Sequence, residues 1–203
     1  MLDNKGVRSA VAGAVEPVAR GLLRAGLSPN ALTATTALIS SAVAIAFWSR
    51  GEFGLGLLAG IPFVFGDLLD GTMARLSGQV SKFGGFLDSV MDRVTDAAIL
   101  GSLVFYFARQ SHWLAVAAGL LAMGAGAIVP YARAKAESLG VVGKTGLMER
   151  SDRLAVVAVG AVAAAFGYVD VLAITLQVLA ILTSYTVWQR INSVRLGLRD
   201  AHL

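Results

Sequence analysis

Four aspartates have a spacing that suits chemistry. Asp67 and Asp70 are three residues apart, and Asp88 and Asp92 are four apart. On a helix, either spacing puts both carboxylates on one face. The stretch from Arg75 to Gly84 that joins the pairs is short and polar. Two antiparallel neighbouring helices would therefore gather all four carboxylates at one end of a bundle. Four like charges beside apolar segments are unfavourable unless something neutralises them. Protonation would do so, as would arginine pairing. Divalent cations do it best, because Mg²⁺ and Mn²⁺ take hard oxygen ligands. Two such ions about 3.5–4 Å apart form a clamp suited to phosphoryl or pyrophosphate chemistry. On the residues alone, structural pairing with Arg75, Arg93 and Arg133 stays open, and so does a proton or ion relay.

Glycines flank the carboxylates. Gly71 follows Asp70, and Gly84 and Gly85 precede Asp88. A residue without Cβ lets a flat or charged group reach the backbone closely. That reading is favoured for Gly71 and Gly85. For Gly84, close helix packing weighs equally. A second cluster is basic. Arg133, Lys135, Arg150 and Arg153 lie around one connection, and Arg195 lies near the C-terminus. Converging cations suit a phosphate-bearing ligand, Arg through bidentate contacts and Lys as a point charge. Anchoring at a membrane surface is the simpler alternative for any one of them.

The elements that must carry these residues are membrane helices. Of 203 residues, 56% are hydrophobic and 15% charged, against roughly 25% charged in a soluble domain. Mean hydropathy is +0.71. This composition excludes a soluble globular, disordered or collagen-like chain. No cysteine is present, which excludes disulfides, thiolate metal sites and cysteine nucleophiles, and two histidines are too few for a histidine-rich metal site. The formal charge of +4 points to anionic headgroups and substrates. No nucleic-acid partner is expected, because the basic residues are neither interleaved with aromatics nor set on a DNA-binding motif.

A span needs about 20 mostly apolar residues. Six are expected, over residues 31–50, 53–76, 85–108, 112–136, 152–169 and 171–192. The second and third reach full length only if their helices carry the aspartates. With the N-terminus in the cytoplasm, fourteen basic residues fall on that side and only Arg50 and Arg109 on the other. Residues 1–25 are expected to form an interfacial helix. Val7, Val11, Val15, Val18 and Leu22 recur at helical spacing, while Arg8, Glu16, Arg20 and Arg24 supply a polar face. Charges interrupt this stretch, so a signal peptide is not expected there. Pro17 is expected to kink or interrupt the helix. The fold class is thus an all-α polytopic membrane protein with six transmembrane helices and an N-terminal amphipathic juxtamembrane helix. It divides into residues 1–25 and a transmembrane domain over residues 26–203.

The pattern Asp67-xx-Asp70-Gly71-xx-Ala74-Arg75-x8-Gly84-xxx-Asp88-xxx-Asp92 matches every fixed position of the CDP-alcohol phosphotransferase signature. The chain resembles that family over essentially its whole length, including the Ser28-Pro29-Asn30-xx-Thr33 entry to the first span. The resemblance implies that Asp67, Asp70, Asp88 and Asp92 bind metal, with Asp92 also the catalytic base on the acceptor hydroxyl. It implies two Mg²⁺ ions, with Mn²⁺ an alternative. It places Pro29, Asn30, Thr33, Asp67, Gly71, Ala74, Arg75 and Gly85 around the CDP group of the donor. The stretches Gly84–Ser89 and Tyr131–Glu137 are similar to the actinobacterial branch that condenses CDP-diacylglycerol with inositol 1-phosphate and releases CMP. There, positions matching Arg133, Lys135, Arg153 and Arg195 bind the acceptor phosphate. The family implies a homodimer among membrane lipids, in the plasma membrane, with the active site facing the cytoplasm.

Two rival readings have definite signatures. A sister enzyme using glycerol 3-phosphate would make phosphatidylglycerophosphate, and a basic cluster suits that acceptor as well. An ion-coupled transporter would carry polar residues across the bilayer midplane. Here they crowd the cytoplasmic end, and the outer halves of the spans are nearly all apolar.

Overall fold

The computed structural model describes residues 5–64, 66–141 and 146–200, without the side chains of residues 5–14, 64, 67 and 200. Among these residues all regular structure is helical. The helices are α1 (Lys5–Arg24), α2 (Pro29–Phe47, running into a 3₁₀ turn at Trp48–Arg50), α3 (Phe53–Val64), α4 (Gly66–Ser77), α5 (Lys82–Arg109), α6 (Trp113–Ser138), α7 (Arg150–Ala165) and α8 (Val169–Asp200). The chain forms two compact units, one of Met1–Val43 and Ala59–Thr95, the other of Ala44–Leu58 and Asp96–Leu203.

In the first unit, local chemistry fixes where the helices begin. Ser28 caps α2, its Oγ accepting from the Ala31 N–H at 3.2 Å, with Pro29 in the first helical position. Ser81 caps α5 in the same way, accepting from the Gly84 N–H at 3.0 Å. Between the two aspartate-bearing helices, α4 ends in a left-handed turn at Gly78 (φ +67°). There the Gly78 N–H reaches the Arg75 carbonyl and the Gln79 N–H reaches the Ala74 carbonyl. A side chain with a Cβ would strain that backbone.

Pro17 does not break α1, which is continuous from Lys5 to Arg24. Proline deletes one backbone hydrogen bond, but tertiary packing can outweigh that loss. α1 lies against α4. Ala19 is fully buried with Leu32 and Met73, and Leu22, Leu23 and Leu69 close around them. The residues 1–4 of the expected interfacial helix lie outside the described residues.

In the second unit, α6 and α7 both pack on α8. α6 presents small buried residues, among them Ala115, Ala118, Ala122 and Ala125. α8 buries Leu172, Leu176 and Leu179. Small residues let helix backbones approach closely in a membrane bundle. At Gly160 of α7, a Cβ would lie 2.8 Å from Thr175 Oγ1 and 2.9 Å from a Leu172 methyl.

Among the described residues, four stretches are long and apolar enough to cross a membrane: Pro29–Arg50, Phe53–Ser77, Trp113–Ser138 and Val169–Arg199. Their outward side chains, such as Leu38, Leu58, Leu120 and Ile181, are large, apolar and exposed, which suits lipid rather than water. The other two expected spans differ for definite reasons. α5 has the length but carries Asp88, Asp92, Arg93 and Asp96, and α7 has only 16 residues.

Candidate active site

In the first unit, the Asp70 carboxylate is tied to a neighbouring helix. It is buried on α4, and Thr33 Oγ1 donates to its Oδ2 at 2.5 Å. The same hydroxyl lies 3.1 Å from the Pro29 carbonyl, so the first turn of α2 is tied to α4. One turn along each helix, the pair approach again. A Cβ on Gly66 would lie 3.0 Å from Thr36 Oγ1.

Asp88 and Asp92 are half-buried on α5. Arg93 Nη2 lies 3.4 Å from Asp92 Oδ2, and Arg93 Nε is buried with no hydrogen-bond partner among the described residues. Asp67 occupies the position three residues before Asp70 in α4, but its side chain lies outside those described. Among the described residues, no three carboxylate or histidine side chains form a group able to hold a metal ion. Asp70, Asp88 and Asp92 therefore do not complete such a site by themselves. Their chemistry nonetheless fits a hard divalent cation. All three are oxygen donors, and one is buried and oriented by a hydroxyl.

The glycines separate by environment. Gly84 is a packing position, because its missing Cβ would lie 3.1 Å from Asn30 Oδ1 and 3.2 Å from Ser81 Oγ. That contact brings the first turns of α2 and α5 together. Gly85 is exposed with nothing within 4 Å of its Cβ position, so its backbone is open to approach. Beside Gly71 lies the Arg75 guanidinium, 3.5 Å from where a Cβ would be. Arg75 is exposed and donates to Thr72 Oγ1 at 3.0 Å. Pro29 is buried, and Ala74 is half-buried.

The second unit holds the basic residues, in two different environments. Arg153 is buried, and its Nη2 lies 3.2 Å from Asp96 Oδ2. Arg150 Nε lies 3.2 Å from the other oxygen, Oδ1. Lys135 and Arg195 are exposed, and Arg133 pairs at 3.0 Å with Glu137, one turn further along α6. The start of α7 is held in place by α8. Thr186 Oγ1 accepts from the Met148 N–H at 3.0 Å, and Gln189 Oε1 accepts from the Leu147 N–H at 3.0 Å. Asp152 then caps the helix by accepting from the Glu149 N–H at 2.9 Å.

Two charged residues outside the expected set belong to this second group. Asp96 joins Arg150 to Arg153. Arg190, buried on α8, donates to the Val129 carbonyl at 2.6 Å. The signal for both was a charge inside a spanning stretch, which is costly without a role.

A family model described as CDP-alcohol phosphatidyltransferase matches residues 27–188. A phosphatidylinositol phosphate synthase of Streptomyces avermitilis is 36% identical over 95% of this chain and 82% of its own length. One of Mycobacterium marinum is 35% identical over 92% of this chain and 82% of its own. Among solved structures, the Mycobacterium tuberculosis phosphatidylinositol phosphate synthase with CDP-DAG bound superposes with a TM-score of 0.83. It is 34% identical, covering 89% of this chain and 92% of that one. A second structure of that protein, in complex with manganese and citrate, has the same TM-score and identity over 89% of this chain and 88% of that one.

Proposed function

The chain belongs to the CDP-alcohol phosphatidyltransferase family, and on that premise we propose that it moves the phosphatidyl group of CDP-diacylglycerol onto inositol 1-phosphate, giving phosphatidylinositol phosphate and CMP. The observation that carries this reading is the likeness, along nearly the whole chain, to a phosphatidylinositol phosphate synthase solved with CDP-DAG bound.

Each part of the reaction has residues suited to it. The donor pyrophosphate is an anion, and it meets carboxylates only if cations stand between them. Asp67, Asp70, Asp88 and Asp92 are the residues to hold divalent metal, in our reading two Mg²⁺ ions, with Mn²⁺ a substitute. Bound there, the metal neutralises the pyrophosphate and the charge that develops on departing CMP. Thr33 keeps the Asp70 carboxylate oriented. Pro29, Asn30, Thr33, Asp67, Gly71, Ala74, Arg75 and Gly85 receive the CDP group. The open backbone at Gly85 and the exposed Arg75 beside Gly71 suit a nucleotide approaching closely.

Arg133, Lys135, Arg153 and Arg195 bind the acceptor phosphate and so orient the inositol hydroxyl. Asp92 accepts the proton of that hydroxyl. The hydroxyl oxygen forms a bond to the β-phosphorus, the bond from that phosphorus to the bridging oxygen breaks, and CMP leaves with the bridging oxygen.

The same reading gives the setting. The chain spans the plasma membrane six times, with α5 and α7 completing the set and α1 lying along the lipid surface. Residues 1–25 are the juxtamembrane helix, and residues 26–203 are the transmembrane domain. The active site faces the cytoplasm, where the ionic acceptor is dissolved, and the chain is a homodimer.

The test is CMP release by the purified protein in liposomes containing CDP-diacylglycerol, with Mg²⁺. Inositol 1-phosphate, glycerol 3-phosphate, free inositol and serine are offered separately. Release with inositol 1-phosphate is expected. Release only with glycerol 3-phosphate would move the acceptor and leave the chemistry standing.

A further inference from the structure

Asp96 takes no part in the family's aspartate pattern, yet it is held by two cations. Its Oδ1 faces Arg150 Nε and its Oδ2 faces Arg153 Nη2, both at 3.2 Å. The two arginines are three residues apart in the first turn of α7, so both project from one face. Their helix start is fixed independently, through Met148, Leu147 and Glu149. On the other side, Gly126 of α6 faces Arg153, with 3.6 Å between its Cβ position and Arg153 Nε. All these residues belong to the second unit.

A partly buried ion pair is a poor way merely to hold helices together. Apolar side chains of similar volume do so as well or better. This trio also carries two positive charges against one negative. Two guanidiniums side by side repel, and each has long-chain rotamer freedom. One carboxylate that takes a different arginine on each oxygen removes both problems. It fixes the two guanidiniums relative to each other and leaves an excess positive charge. The buried Arg190 adds positive charge within electrostatic reach of Arg153 and of Arg133, with Glu149 and Glu137 also in its surroundings.

We propose that Asp96 is a positioning residue for the acceptor phosphate, presetting Arg150 and Arg153 in the arrangement that receives it. The inference rests on the acceptor role proposed above for the basic residues. It adds Arg150 to them and gives Asp96 a task separate from the metal-binding aspartates. A preset arginine pair binds phosphate with less ordering at the moment of binding.

The experiment measures initial rates of CMP release by the full-length protein in liposomes, varying inositol 1-phosphate and CDP-diacylglycerol in turn. For Asp96→Asn, KM for inositol 1-phosphate is expected to rise about tenfold, with kcat and KM for CDP-diacylglycerol within about twofold of wild type. Asp96→Glu keeps the charge and lengthens the arm, so a smaller rise in the same constant is expected. Asp96→Glu also carries the test if Asp96→Asn does not fold. Unchanged KM for inositol 1-phosphate in the folded variants would overturn the proposal. So would parallel changes in both KM values with a lowered melting temperature, which would mark a purely structural ion pair. Wild-type protein that fails to use inositol 1-phosphate would instead overturn the acceptor reading on which this inference rests.

Discussion

The hydroxyl of Thr33 on α2 donates to the carboxylate of Asp70 on α4 across 37 residues of sequence. It ties a residue from the entry of the first span to an aspartate of the family pattern. A hydrogen bond to a charged group contributes about 1.5–3 kcal/mol. Thr33→Val keeps the shape and removes the donor. Turnover is expected to fall by about 10- to 100-fold, with a raised requirement for Mg²⁺. Thr33→Ser is expected to keep most of the activity. Metal titrations of the initial rate separate the two variants, and a Val variant with wild-type metal dependence would show that the bond has no role.

Asp92 is proposed as the base, and Arg93 Nη2 lies 3.4 Å from its Oδ2. Asp92→Asn is expected to abolish turnover while leaving metal-dependent binding of CDP-diacylglycerol. Equilibrium binding beside CMP release reads the two effects apart. Retained turnover would remove Asp92 as the base.

The two environments of the basic residues predict two kinds of variant. Arg195 is exposed, so Arg195→Glu is expected to raise KM for the acceptor and leave the melting temperature near wild type. Arg153 is buried against Asp96, so Arg153→Glu is expected to impair acceptor use and also to lower the melting temperature. In both variants CDP-diacylglycerol binding changes less than acceptor use. Equal loss of both substrates would contradict the assignment.

Helix packing in the second unit gives a prediction independent of function. Gly160→Val puts atoms where Thr175 and Leu172 already stand, and is expected to cost about 1–3 kcal/mol. Gly124 has nothing within 4 Å of its Cβ position, so Gly124→Ala is expected to stay within about 1 kcal/mol of wild type. Thermal unfolding in detergent tests the contrast.

The helices were legible as apolar runs, and Ser28-Pro29 marked the entry to α2. The Ser81 cap of α5 and the Gly78 turn that closes α4 emerge from the structure. Pro17 does not interrupt α1, and the packing of Ala19 against Leu32 and Met73 cannot be read from a single helix. The aspartate pattern was legible because its spacings are short and helical. The trio of Asp96, Arg150 and Arg153 was not, because its members lie 54 and 57 residues apart. Each arginine alone reads as an ordinary positive-inside anchor. For Gly84 the sequence left packing and ligand approach evenly weighed, and only its neighbours Asn30 and Ser81 show a packed glycine beside the open Gly85.

Competition between acceptors tests the proposed reaction most directly. Purified protein in CDP-diacylglycerol liposomes with Mg²⁺ is given equal concentrations of inositol 1-phosphate and glycerol 3-phosphate, and the lipid product is identified by mass spectrometry. Phosphatidylinositol phosphate is expected as the main product, formed in step with CMP. Phosphatidylglycerophosphate as the main product would contradict the proposed reaction.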